Sequence, residues 1–155
     1  MLFRLRPYQS GDADTIATLF YETVHQINQA DYTTQQLNVW APHDQNVERW
    51  NERLEKNKTW VVEDRGEIIG FGDLDETGYL DHLYVHYNYI RKGVGELIVR
   101  QLENEARTLG TKTVTTHASI TARPFFEARG YTVIQDQEVV REGISLKNYK
   151  MNKIL

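Results

Sequence analysis

Two glycines, Gly93 and Gly95, stand where the sequence changes from one hydrophobic period to another. Before them, the run from Tyr79 to Val85 gathers Leu80, Leu83 and Val85 among Tyr79 and Tyr84, a composition that favours an extended strand. After them, Val94, Leu97, Ile98, Leu102, Ala106 and Leu109 recur at three- and four-residue spacing up to Gly110, which describes an amphipathic helix with a glycine stop. The first turn of a helix carries backbone N–H groups without intrahelical partners, and glycine lets ligand oxygens approach them. Arg91 and Lys92 add two whole charges to the partial charge of the helix dipole. The stretch from Arg91 to Glu96 is therefore suited to a phosphate, although most glycine pairs of this kind are ordinary turns.

The wider context narrows that reading. The strand, loop and helix resemble the GNAT superfamily of N-acetyltransferases, whose signature is a strand ending in valine, a short loop, then Gln/Arg-x-x-Gly-x-Gly/Ala opening a long helix. Ile90 holds the first place of that pattern here, with Arg91 beside it. A second block, ASITARPFFEARGY from Ala118 to Tyr131, resembles the superfamily segment in which a short helix flanks the CoA arm and ends in Gly-Phe or Gly-Tyr. Together with DYTTQQLNVWAP near the N-terminus, this segment is similar to the YafP-like branch of bacterial acetyltransferases, and the resemblance spans nearly the whole chain.

The resemblance implies transfer of an acetyl group from acetyl-CoA to an amine. It assigns the CoA arm and the thioester carbonyl to backbone N–H groups of Leu83, Tyr84 and Val85. The pyrophosphate falls to Arg91, Lys92, Gly93, Val94, Gly95 and Glu96. Acidic groups on the central strand are the usual source of a general base, which points to Asp81. By strand alternation its carboxylate projects to the side of Tyr79, Leu83 and Val85. His117, on the strand across the expected cleft, is a second candidate for proton transfer near neutrality. The superfamily's usual general acid is a tyrosine four residues before the closing glycine, and here that place is Phe126. Phe126 then lines the CoA arm without a hydroxyl. Tyr149 on the last strand is the leading substitute, with Tyr79 and Tyr84 behind it. Ser119 stands where an asparagine often opens the segment and bonds the CoA arm. Tyr32 and Trp40 are candidates for the acceptor pocket.

Composition bounds the chemistry. The 155 residues fit one domain spanning 1–155, with 40% hydrophobic and 26% charged residues. No apolar run approaches the roughly 18 to 20 residues of a membrane span, and the N-terminus lacks an export signal, so a soluble, cytoplasmic protein is expected. The absence of cysteine removes disulfides, thiolate zinc sites and a cysteine-acyl intermediate, so acetyl would pass directly. A net charge of −4 disfavours a nucleic-acid partner and is easier to reconcile with a neutral or cationic small-molecule amine. No metal is expected: on a strand His82 and His86 lie about 13 Å apart, and His25 and His43 read as surface residues. Peptide or protein acetylation, a non-catalytic CoA-binding module, and a homodimer paired through the last strands stay open as alternatives.

The remaining elements follow from periodicity. Phe3 and Leu5 open a strand stopped by Pro7, and Asp12 suits the N-cap of a helix carrying Ile16, Leu19, Phe20, Thr23 and Ile27. Thr33, Thr34, Leu37 and Trp40 mark a second helix stopped by Pro42, and Val47, Trp50 and Leu54 a short third with its tryptophan in the core. Residues 59–64, 67–74 and 79–85 form an antiparallel meander. A strand at 113–118, a helix at 121–129 and strands at 132–140 and 144–151 complete the chain. By resemblance this is an α/β (α+β) GNAT fold in the order β-α-α-β-β-β-α-β-α-β-β.

Overall fold

The structure, a computed structural model, describes residues 2–155. Strand β1 (Arg4–Pro7) is followed by helices α1 (Ala13–Ile27), α2 (Thr34–Trp40) and α3 (Val47–Lys56). Then come β2 (Lys58–Asp64), β3 (Glu67–Leu74), β4 (Tyr79–Val85), α4 (Val94–Leu109), β5 (Thr113–Ser119), α5 (Arg123–Glu127), β6 (Thr132–Arg141) and β7 (Ile144–Ile154). The short third helix, read from Val47, Trp50 and Leu54 but missing from the order expected by resemblance, forms as α3. Among the described residues the strands make one sheet in the order β1-β2-β3-β4-β5-β7-β6. Every neighbouring pair is antiparallel except β4 and β5.

One face of the sheet carries α4. Its Ile98, Leu102 and Ala106 are fully buried against Val62, Leu74, Leu80, Val114 and Met151. Burial of each such large side chain is worth about 1.5 to 3 kcal/mol. Close approach depends on Gly70 and Gly72 of β3: a Cβ on Gly72 would lie 2.6 Å from Ile98 Cγ2, and one on Gly70 2.9 Å from Val94 Cγ1. The opposite face carries α1 and α3, where Ile16, Phe20, Val24 and Leu54 pack on Val61 and Phe71. The fold is thus a sheet between two unequal helical layers.

Several local expectations change. Asp12 stands at the N-cap position of α1, but its side chain makes no capping bond there. Its carboxylate accepts two hydrogen bonds from Arg6 at 2.8 and 2.9 Å and one from the Gln9 N–H at 2.8 Å, so it ties β1 to the turn before α1. Thr33 does cap α2, in a reciprocal arrangement with Gln36. His25 is not a free surface residue, since its Nε2 lies 2.8 Å from the Ala41 carbonyl and joins α1 to the end of α2. The helix expected over 121–129 contracts to α5, because the Ser119 hydroxyl accepts the Ala122 N–H and Gly130 turns the chain at φ +93°.

Candidate active site

Strands β4 and β5 are each seven residues long, yet they pair only at Tyr79 with Thr115 and Leu80 with Thr116. Beyond those residues they diverge, and a gap opens through the middle of the sheet. The divergence begins at a bulge: Asp73 of β3 pairs with His82 but Leu74 with Leu80, which leaves Asp81 as the extra residue of β4. A bulge of one residue reverses the alternation of side chains beyond it. Leu80, Leu83 and Val85 accordingly join the core on the α4 face, while the His82 and Tyr84 rings pack on the other face near Phe71. The shared side expected for Asp81, Leu83 and Val85 is therefore corrected. Asp81 stays with Tyr79, and Leu83 and Val85 are turned away.

The bulge also decides which backbone donors face the gap. His86 donates its N–H to Ile69 of β3 at 2.8 Å, and Tyr84 pairs with Phe71 in the same register, which spends the Tyr84 donor on β3. Leu83 and Val85 alternate with these and turn their N–H groups towards the gap. Of the three backbone positions expected to serve the CoA arm, these two are free to do so.

At the end of β4 a single turn at Tyr87–Tyr89 leads to Ile90 and the α4 N-terminus. Gly93 precedes α4 at φ +85°, and no side chain caps the helix, so Val94, Gly95 and Glu96 keep unspent N–H groups in the first turn. A Cβ on Gly93 would meet nothing within 4 Å, so the approach to these donors is open. Arg91, Lys92 and the Glu96 side chain are exposed around it. Gly95 is buried against α5, where a Cβ would lie 2.9 Å from the Phe125 ring. Two sets of backbone donors, those of Leu83 and Val85 at the gap and those of Val94, Gly95 and Glu96 in the first turn of α4, are thus left without backbone partners.

The α5 helix places Phe126 in the core, 3% exposed, with its ring edge-on to Tyr131 and Phe125. Phe125, which the sequence did not single out, is the aromatic that faces Gly95, and the Arg129 guanidinium lies 3.8 Å above its ring. Ser119 accepts hydrogen bonds from Asn28 and the Ala122 N–H, which leaves its own hydroxyl proton available. Tyr149 lies opposite Ala118 at the wide end of the gap, covered by the Arg123 guanidinium at 4.6 Å.

Polar groups gather on the face opposite α4. Burial raises the Asp81 carboxyl above its ordinary range, His82 and Arg53 oppose that shift, and the Arg53 Nε lies 3.4 Å away. Tyr79 is pushed up to about 12, first by burial and then by Asp81, so it remains a hydroxyl donor. Its ring meets that of His117 at 5.2 Å. His117 is lowered by burial and then by Lys150, which keeps it neutral and able to accept a proton. Tyr32 is buried and serves as a latch: its hydroxyl donates to the Lys147 carbonyl at 2.6 Å and accepts the Ile120 N–H at 3.0 Å, with Trp40 against its ring.

His82 and Asp73 are the residues that sequence reasoning missed. Asp73 Oδ1 accepts both the His82 N–H at 2.8 Å and the ring Nδ1–H at 2.9 Å, and Oδ2 accepts from Asn57 at 3.0 Å. Asp73, Asp81 and His82 bring ligand-type atoms within 4.8 Å of one another. Because Asp73 is already committed to three hydrogen bonds, the group closes on itself as an internal network. No sequence pattern announces it, since it exists only through the bulge.

Comparison with known proteins agrees with this geometry. The family model for an acetyltransferase (GNAT) domain matches residues 28–153. The uncharacterized N-acetyltransferase YafP of Escherichia coli is 33% identical over 148 residues, covering 96% of this chain and 93% of that one. The GCN5-related N-acetyltransferase structure from Rhodopseudomonas palustris superposes with a TM-score of 0.94 at 32% identity, covering 100% of this chain and 99% of that one. The PaiA N-acetyltransferase of Thermoplasma acidophilum, solved in complex with coenzyme A, shares the fold at a TM-score of 0.83 and 16% identity over the full length of both chains. With one sheet gapped between β4 and β5, a glycine-led helix beside the gap and these relatives along nearly its whole length, the chain belongs to the GNAT family of N-acetyltransferases.

Proposed function

We propose that this chain moves an acetyl group from acetyl-CoA directly to the amine of a small molecule. The observation that carries the reading is the two-residue pairing of β4 and β5 beside the uncapped start of α4. Unspent donors at the helix suit the pyrophosphate, and those of Leu83 and Val85 suit the CoA arm and the developing oxyanion. Donors fixed in the backbone need no reorganisation as charge builds, which is why such contacts favour the transition state over the bound thioester.

The acceptor amine approaches from the face of Tyr79, Asp81 and His117. Its nitrogen attacks the thioester carbon, the new C–N bond forms as the C–S bond breaks, and the sulfur leaves as a thiolate. Tyr149 is the proposed source of the proton for that thiolate. No cysteine is present to carry the acetyl group, so transfer is direct. A small acceptor is favoured because Tyr32 and Gln36 bind the Lys147 and Ser145 carbonyls and hold α2 across the start of β7, which narrows access on that side. A cytoplasmic site of action is part of this reading, because acetyl-CoA is the donor it requires. Among the described residues no helix is long and apolar enough to cross a membrane.

Thiol release from acetyl-CoA with ethanolamine, lysine, spermidine, tryptamine and a lysyl hexapeptide tests the reading. Turnover on at least one small amine is expected. Turnover on the hexapeptide alone moves the assignment to peptide acetylation, and stabilisation by CoA without any turnover moves it to a CoA-binding module.

A further inference from the structure

The bulge that opens the gap also turns one imidazole towards the acceptor face and fixes its orientation. Asp73 is wholly buried, and a buried carboxylate is costly unless its oxygens are satisfied. Two of its three hydrogen bonds come from His82, one from the backbone and one from the ring. A carboxylate can only accept, so the ring proton sits on Nδ1 and the lone pair on Nε2. Trp50 at 4.9 Å and Phe71 at 6.2 Å flank the ring and hold its rotation. Nε2 has no hydrogen-bond partner among the described residues. It is also not one of the sealed, unpartnered side-chain atoms, which are Arg129 Nε and Asn148 Oδ1. Nε2 is therefore unpartnered without being fully sealed, on the strand that also carries the Leu83 N–H.

We propose that His82 takes the proton from the attacking amine and that Asp73 is its positioning residue. The proposal rests on acetyl transfer at this site. The amine nitrogen forms its bond to the acetyl carbon, the C–S electron pair departs with the sulfur, and one amine proton passes to Nε2. His82 then returns that proton to water, the thiolate takes one from Tyr149, and Tyr149 regains one from water, so free enzyme, the N-acetylated amine and CoA remain. The charged and titratable groups that face the imidazole are Asp73 from β3, Asp81 of its own strand with Oδ2 3.8 Å from Nδ1, Arg53 from α3 behind Asp81, and Tyr84, whose ring centre lies 6.3 Å away. Tyr79, His117 and Lys150 lie further along the same face. This arrangement sets two carboxylates beside the nitrogen that becomes part of an imidazolium.

Two measurements test it. Nitrogen-15 NMR of the imidazoles in the unliganded protein should show the His82 ring as the Nδ1–H tautomer when neutral, and the Nε2–H tautomer would overturn the proposal without reference to any acceptor. With acetyl-CoA and whichever amine of the panel turns over fastest, His82→Gln should lower kcat/KM by about 10²- to 10⁴-fold and remove the acid limb of its pH profile, while acetyl-CoA affinity stays near wild type and the protein, though with a lower Tm, remains folded at assay temperature. Asp73→Asn should displace that limb, and added imidazole should restore part of the rate to His82→Ala. A folded His82→Gln enzyme that keeps more than a third of kcat/KM with the limb in place would overturn the role. Failure of the wild-type protein on every amine would instead overturn the acetyl-transfer reading.

Discussion

Asp81 is held at a cost. Burial raises its carboxyl, so between the ordinary value of 3.8 and the raised one the folded chain binds more protons than the unfolded chain. Stability therefore falls as pH rises through that window, and ionised Asp81 is a burden at neutral pH. Groups kept in this condition are common where chemistry needs them. Asp81→Asn should melt no lower than wild type at pH 7 and lose any advantage below about pH 3.8, while transfer slows; thermal melts across pH check this. A variant clearly less stable at pH 7 would make the Arg53 pair the reason for the residue. For the leaving thiolate, Tyr149→Phe should cut kcat by about 10²-fold or more with CoA affinity preserved, and a change below about threefold would mean that the thiolate departs unassisted. At this scale the sequence was partly legible. Asp81, His117 and Tyr149 stand out as titratable groups on strands, but simple alternation places His82 on the wrong face and Asp81 beside Leu83, because one extra residue in β4 leaves no mark in the sequence. The reading of Phe126 as lining the CoA arm has a similar limit: neighbours on a five-residue helix point in different directions, and only packing shows that Phe126 enters the core while Phe125 meets Gly95.

Elements were easier to read than their joints. Strands β3 and β4 and helix α4 fall where alternation and the three-to-four spacing put them, because each has one face committed to the core. The place of Asp12 before α1 is legible but the partner of its carboxylate is not, since such a group suits a cap and an ion pair equally well and Arg6 lies on a different element. Burial pushes the Asp12 carboxyl up, but the Arg6 and Gln9 hydrogen bonds outweigh it and the net direction is down. Its contribution is then present above the unfolded value of 3.8 and lost as pH falls through the lower folded one. Asp12→Ala should cost roughly 3 kcal/mol at pH 7 and show a shallower loss of stability in acid, as measured by denaturant unfolding at several pH values. The start of α4 offers a matching test of function. Gly93→Glu places a side chain and a negative charge in open space before the uncapped turn, with a left-handed backbone strain of about 1 kcal/mol, so the variant should fold and lose acetyl-CoA binding. Unchanged affinity in titration calorimetry would move the pyrophosphate elsewhere.

For the whole molecule, periodicity gave a mixed α/β chain with an antiparallel meander, and only resemblance supplied its topology. The strand order, with β7 inserted between β5 and β6, is a long-range property: β5 pairs with β7 through residues such as Thr116 and Met151, far apart in sequence. The gap was legible only by family likeness, since it arises from where pairing stops. Two helical layers of unequal content cover the two faces of the sheet. The most direct test of an acetyl-CoA site at that opening is the melting temperature of the full chain with and without the thioester. At a hundredfold excess over its dissociation constant, acetyl-CoA should stabilise the fold by about 2.7 kcal/mol, which for a domain of this size raises Tm by roughly 5 to 10 °C. No shift at millimolar acetyl-CoA would contradict the assignment of the gap and the α4 start as its binding site.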